Sequence, residues 1–197
     1  MSSISSGLLN NLTRPYGDAA IAAMSVVNRF TAFVMCVGLG VGQGFQPVAA
    51  FNYQAKKYSR VKKGLLVTMG VGFCMICCLA VPGFIFAEQI VYMFQKSATV
   101  VEIGTFALRC SCVGVVFLSL SVPINMLYQS TRQAGLSSFL SMLRNGLTFI
   151  PILMITSRLW GLTGVQISQP AADIATGLIS IPFIVSFLRK KLVDTPE

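Results

Sequence analysis

Gly64 to Phe86 is a run of 23 residues without one charged side chain. As a helix it spans about 35 Å at 1.5 Å per residue, enough to cross a hydrocarbon core about 30 Å thick. Cys110 to Leu127 is a second uncharged run, 18 residues long. Hydrocarbon offers backbone N–H and C=O groups no partner, so such runs must pair them internally as helices. The chain is 54% hydrophobic and 11% charged, against about 25% charged in soluble domains. The bilayer is therefore its main solvent, and an all-α integral membrane fold is expected.

Five full spans are expected after a partial first. They run over 18–52, 64–86, 103–129, 134–157 and 161–188, interrupted by Pro47, Pro82, Pro123, Pro151 and Pro182. Proline is tolerated there because neighbouring helices satisfy the freed carbonyls. Residues 1–12 reach only about 18 Å, so they read as the end of a helix whose beginning is missing, and the chain is expected to be a fragment. The start has neither the positive n-region nor the cleavage site of a signal peptide. The connectors at Arg132 and Trp160 are too short for another domain, which leaves 1–197 as a single transmembrane lobe.

The net charge of +9 comes from 15 Lys and Arg against 6 Asp and Glu. A nucleic-acid partner would need a basic face on a soluble scaffold. Here Lys56, Lys57, Arg60, Lys62 and Lys63 form one cluster and Arg189, Lys190 and Lys191 another, each at the end of an apolar run. If the spans alternate, these eight and Arg132 share one side, while the opposite loops hold Arg14, Lys96 and Arg158. That asymmetry predicts a multi-pass protein of the cell (inner or plasma) membrane with the basic loops and C-terminus cytoplasmic. The first cluster is expected to anchor its span against anionic headgroups.

Six cysteines all lie in apolar runs, and Cys74 with Cys77 has CxxC spacing but no second pair and no histidine. They read as small packing residues, with no metal expected. No carboxylate pair or ligand cluster supports intramembrane hydrolysis, which argues against an enzyme.

Polar side chains at bilayer depth are costly, so a face that collects them meets protein or water. At about 100° per residue, Gln166, Gln169, Asp173, Thr176 and Ser180 share one face of the last span. Ser25, Asn28, Gln43 and Gln46 share another on the second. Ser111, Ser121, Asn125 and Gln129 align on the fourth, and Ser137, Ser141, Arg144 and Thr148 on the fifth. Interhelical hydrogen bonding and a water-filled path both explain such stripes. Asn28, Gln43, Gln46, Asn125, Gln166, Gln169 and Asp173 are the candidate pathway residues. Asp173, expected near mid-membrane, matches Arg144 in depth. A structural ion pair is the first reading and an ion or proton relay the second. Arg29 and Arg109 are expected near mid-depth without an acid, reaching a wet cavity or partners outside this chain. Gly38 with Gly42, and Gly40 with Gly44, give two overlapping GxxxG spacings suited to close helix approach.

The stretches LLNNLTRPYGDAAIAAMSVVNRF, GQGFQPVAAFNYQAKKYSRVKKG, STRQAGLSSFLSMLRNGLTFIPIL and GLTGVQISQPAADIATGL resemble the carboxy-terminal half of multidrug and toxic compound extrusion (MATE) transporters. The resemblance covers nearly the whole chain. It implies a twelve-helix protein of two six-helix lobes facing each other across a substrate cavity and rocking to alternate access. This chain is similar to helices seven to twelve, a six-helix lobe with its first helix truncated, so the amino-terminal lobe is the expected partner. The family exports amphipathic, often cationic, organic compounds in exchange for Na+ or H+. Some members hold the coupling ion with acids on helices seven, eight and ten. This sequence has Asn10, Asn11, Asn28 and Asn125 on the corresponding spans and no carboxylate. The coupling-ion site is therefore expected in the missing half, with no other cofactor. A non-transporting membrane scaffold, a split-gene remnant and a lipid-linked saccharide flippase of the same superfamily remain as alternatives.

Overall fold

The computed structural model describes Gly7 and residues 17–131 and 133–190, apart from the side chains of 134, 144, 145 and 188–190. The described secondary structure is helical throughout. Helix α1 is Asp18–Gln54 and α2 is Tyr58–Ile85. The short α3, Ala87–Phe94, leads to α4, Ala98–Val116, and α5, Leu118–Ser130. Helix α6, Ala134–Met142, passes through a π-helical turn, Leu143–Leu147, into α7, Phe149–Lys190.

Four of these helices, α1, α2, α4 and α7, are long and apolar enough to cross a bilayer. Helix α7 folds back on itself. Gly161 adopts φ 55° and ψ −127°, a conformation open essentially to glycine. A Cβ on Gly164 would collide with the Thr156 carbonyl. Eight residues along a straight helix are about 12 Å apart, so the two arms of α7 must run antiparallel across Gly161.

Some boundaries depart from the expected spans. Helix α2 begins at Tyr58, six residues before Gly64, because Arg60, Lys62 and Lys63 are good helix formers whose heads stay exposed while their stems cover apolar surface. The region 103–129 is split at Phe117, where the Phe117 N–H bonds Gly114 O at 3.0 Å. The cause is tertiary. The second arm of α7 presses against this bend, with a Cβ on Gly114 meeting Pro170 Cα at 2.5 Å and one on Gly177 meeting Phe117 Cβ at 2.8 Å.

Helix α1 lies at the centre, packed against α2, α4 and α5. One apolar core joins Met24, Val34, Ile76, Leu108, Val115, Leu118 and Leu153. A second, at the end carrying the α1–α2 loop, joins Phe45, Leu65, Ile124, Leu127, Tyr128 and Phe187. Tyr128 Oη donates to Phe183 O at 3.1 Å and the Tyr128 and Phe187 rings meet edge to face, tying the last arm to α5. Outside, large apolar side chains are exposed, among them Val67, Val81, Ile85, Phe106 and Ile155. Exposed apolar side chains in this number fit lipid contact, not water.

Of the paired GxxxG glycines, only Gly38 and Gly42 face neighbours. A Cβ on Gly38 would stand 3.4 Å from Ile76 Cδ1, and one on Gly42 2.9 Å from Val122 Cγ1 and 3.1 Å from Met126 Cγ. Gly40 and Gly44 have nothing within 4 Å.

Candidate functional site: the open face of α1

That open glycine face is chemically unlike the rest of the surface. Ser25, Arg29, Ala32, Cys36, Gly40, Gln43 and Pro47 are all exposed and fall within an arc of about 80° at 100° per residue. None of these seven is a large apolar residue, but the exposed rings of Phe33 and Phe51 border the strip about 20° beyond it, between Gly40 and Gly44. The matching face of α2 carries Val67, Val71, Cys74, Cys78, Val81 and Ile85, also exposed. One face suits lipid; the other offers hydroxyl, amide and guanidinium groups over a low relief. Pro47 has no N–H, so the Gln43 carbonyl on this face loses its helical partner.

Along one edge of this face runs a chain of hydrogen bonds across three helices. Gln46 Nε2 on α1 donates to Gln129 Oε1 on α5 at 2.9 Å and lies 3.1 Å from Met126 Sδ. Gln129 Nε2 donates to Asn125 Oδ1 at 3.2 Å, and Asn125 Nδ2 donates to Ser141 Oγ on α6 at 2.8 Å. Asn125 and Gln129 can meet because positions four apart share a helix face. Gln46 and Asn125 are half-buried and Gln129 is exposed, so the chain runs from the open face inward. Asn28 is half-buried on the same edge of α1, and Gln43 lies on the open face itself.

The candidates on α7 fall elsewhere. Gln166 is buried and donates to Ile103 O of α4 at 3.1 Å. Thr176 and Ser180 are buried and return their hydroxyls to their own helix, at Ala172 O and Thr176 O. Gln169 and Asp173 are half-buried. This stripe lies largely within the protein, and the structure does not bring it to the α1 face. The Arg144 side chain lies outside the described residues, as do Arg132 and the tail from Lys191, so the pairing of Asp173 with Arg144 stays a proposal.

The cations Lys56, Lys57, Arg60, Lys62 and Lys63 are all exposed around the α1–α2 loop. Lys56 takes a positive φ of 56°, and the Lys57 N–H closes the turn on Asn52 O at 2.9 Å. Arg109 is exposed on α4. Its Cζ sits 5.8 Å from the ring centroid of Phe84, one residue before α2 ends, where a cation–π contact offsets part of its desolvation. Met126, whose sulfur faces Gln46, is the contact that reading polar residues alone misses; its spacing three residues before Gln129 was the available signal. Among the described residues no group of His, Cys, Asp and Glu could hold a metal ion.

The MatE family profile matches residues 1–155. The multidrug export protein MepA of Staphylococcus aureus (strain bovine RF122 / ET3-1) is 30% identical over 194 residues, covering 96% of this chain and 42% of its own length. The chain thus spans less than half of that relative. Among solved structures, an outward-facing multidrug resistance MATE family transporter of the MOP superfamily superposes with a TM-score of 0.87 at 20% identity, over 96% of this chain and 44% of its own. An inward-facing one gives 0.85 at 16% identity, over 99% and 47%. An all-helical lobe with this architecture and this sequence likeness belongs to the MatE family.

Proposed function

We propose that the chain forms one lobe of a cation-coupled exporter of amphipathic organic compounds, and that the open face of α1 is its wall of the substrate cleft. The observation that carries this reading is the contrast between the strip of small and polar residues on α1, bordered by the Phe33 and Phe51 rings, and the wholly apolar open face of α2. A second six-helix lobe stands opposite and supplies the other wall. Substrate cations and hydrogen-bonding groups meet Gln43, the Gln43 carbonyl, Ser25 and the outer members of the amide chain. The low relief at Gly40, bordered by the exposed Phe33 ring, admits bulky rings.

The named export activity of MepA and the half-length coverage support this assignment. Likeness to both outward-facing and inward-facing chains at TM-scores of 0.87 and 0.85 fits a lobe that moves as a body while the cleft changes sides. The coupling ion, Na+ or H+, binds outside this lobe: α1, α4 and α5 carry only Asp18 and Glu102, both exposed near helix ends, and the half-buried Asp173 of α7 is assigned to a structural pair. Asp173 and Arg144 pair to hold the last two passes together. The basic loops and the C-terminus face the cytoplasm, and the lobe alone does not transport.

The test is dye efflux from cells expressing the chain alone, and the chain with a complementary amino-terminal six-helix lobe of the family. Efflux is expected only from the pair, and substitution of Gln43 and Ser25 by leucine should abolish it at equal expression. Efflux by the single lobe, or full efflux by the Gln43→Leu/Ser25→Leu pair, would contradict the reading.

A further inference from the structure

The loop joining α1 to α2 continues into a face of α2 whose shape and charge match a different molecule. Arg60 and Lys63 open this face, three residues apart and both exposed. Directly below them by helical spacing lie Val67, Gly70, Val71 and Cys74, all exposed. A Cβ on Gly70 meets nothing within 4 Å, so the apolar strip has a shallow notch about two to three turns below the cations. The first turn of α2 holds no acid, and neither does the last turn of α1, leaving the guanidinium and ammonium groups without a carboxylate from either helix end. The buried residues Val61, Leu65 and Ile76 define the opposite side of α2, so this strip faces away from the lobe.

We propose that Arg60, Lys63 and the Gly70 notch form a binding site for an anionic phospholipid in the leaflet on the side of the α1–α2 loop. The two cations hold the headgroup phosphate, with Arg60 able to contact two oxygens at once. An acyl chain lies against Val67 and Val71 and into the notch. Charge complementarity above and apolar relief below select a lipid over a soluble anion, which would use only the upper half. This differs from diffuse attraction of the whole basic cluster, because Lys57 precedes the helix and Lys62 stands over the bulky exposed Leu66 and Phe73, with Gly70 farther round the helix from it than from Lys63. It is independent of whether the lobe transports anything.

The full chain, purified after mild detergent extraction, is assayed by native mass spectrometry for retained phosphatidylglycerol, with phosphatidylcholine as the neutral competitor. The wild type should retain one phosphatidylglycerol in preference to phosphatidylcholine. A cation at an anionic surface strengthens binding about fivefold, so R60Q/K63Q should lose about 25-fold. G70L keeps every charge and fills the notch, and should also lose the lipid. K96Q/R158Q removes the same charge at the other end and should retain it. Equal loss in K57Q/K62Q, unchanged retention in G70L, or equal retention of phosphatidylcholine by the wild type would each overturn the site. If R60Q/K63Q fails to express, G70L decides.

Discussion

Gln46 and Gln129 lie 83 residues apart in the chain and are joined by a 2.9 Å hydrogen bond between α1 and α5. The bond extends through Asn125 to Ser141, so three helices are held in register by amides at one end of the lobe. Hydrogen bonds between membrane helices contribute about 0.6 kcal/mol on average. A double-mutant cycle on Gln46→Leu and Gln129→Leu, read by thermal unfolding in detergent, should give a coupling energy of about that size. A coupling near zero would mean that the contact holds nothing.

The glycines of α1 should separate sharply. Gly42→Ala adds a methyl against Val122 and Met126 and should destabilise by about 1–3 kcal/mol, while Gly40→Ala enters open space and should be neutral or slightly stabilising. Thermal midpoints of the two variants decide this, and equal shifts would refute the packing.

Gly161→Ala should lower stability by about 1–3 kcal/mol, since φ 55° with ψ −127° strains any side chain. Gly164→Ala, facing the Thr156 carbonyl, should express poorly. Normal yield and midpoint for both would show that the chain does not reverse there.

Phe84→Leu removes the ring under Arg109 and should cost about 0.5–1 kcal/mol. Arg109→Lys should cost less, because an ammonium also binds an aromatic face. Unfolding of the two variants and the wild type in the same detergent checks the order.

Single-cysteine variants test which face meets water. Cys36 lies on the open face of α1, Cys74 and Cys78 on that of α2, and Cys112 is buried. A charged, membrane-impermeant thiol reagent attacks the thiolate, which forms in water, so with both lobes in the membrane Cys36 should react at least about tenfold faster than the others. Similar rates at Cys36 and Cys74 would remove the distinction between the two faces.

The apolar lengths made the helices legible: 23 uncharged residues leave α2 few alternatives. The turn before the last arm is legible too, because Trp160 and Gly161 interrupt two apolar runs. The break at Phe117 is not, since neither neighbour in sequence is a breaker and the bend comes from Pro170 and Gly177 on a distant arm. The polar stripes are legible as stripes, but a period of 3.6 gives the side of a helix and not what covers it. Gln43 ended on an open face and Gln166 in a sealed contact for that reason. Hydroxyls add to the ambiguity: Thr176 and Ser180 satisfy themselves on their own carbonyls and need neither water nor a neighbour.

The reversal at Gly161 has a mechanical corollary. A hinge needs slack, and a one-residue corner locked by the Gly164 to Thr156 backbone contact has none. The two arms of α7 are thereby welded into a single strut. Flexing between this strut and the remainder falls to the π-helical turn at Leu143–Leu147, where the helical winding is already loosened.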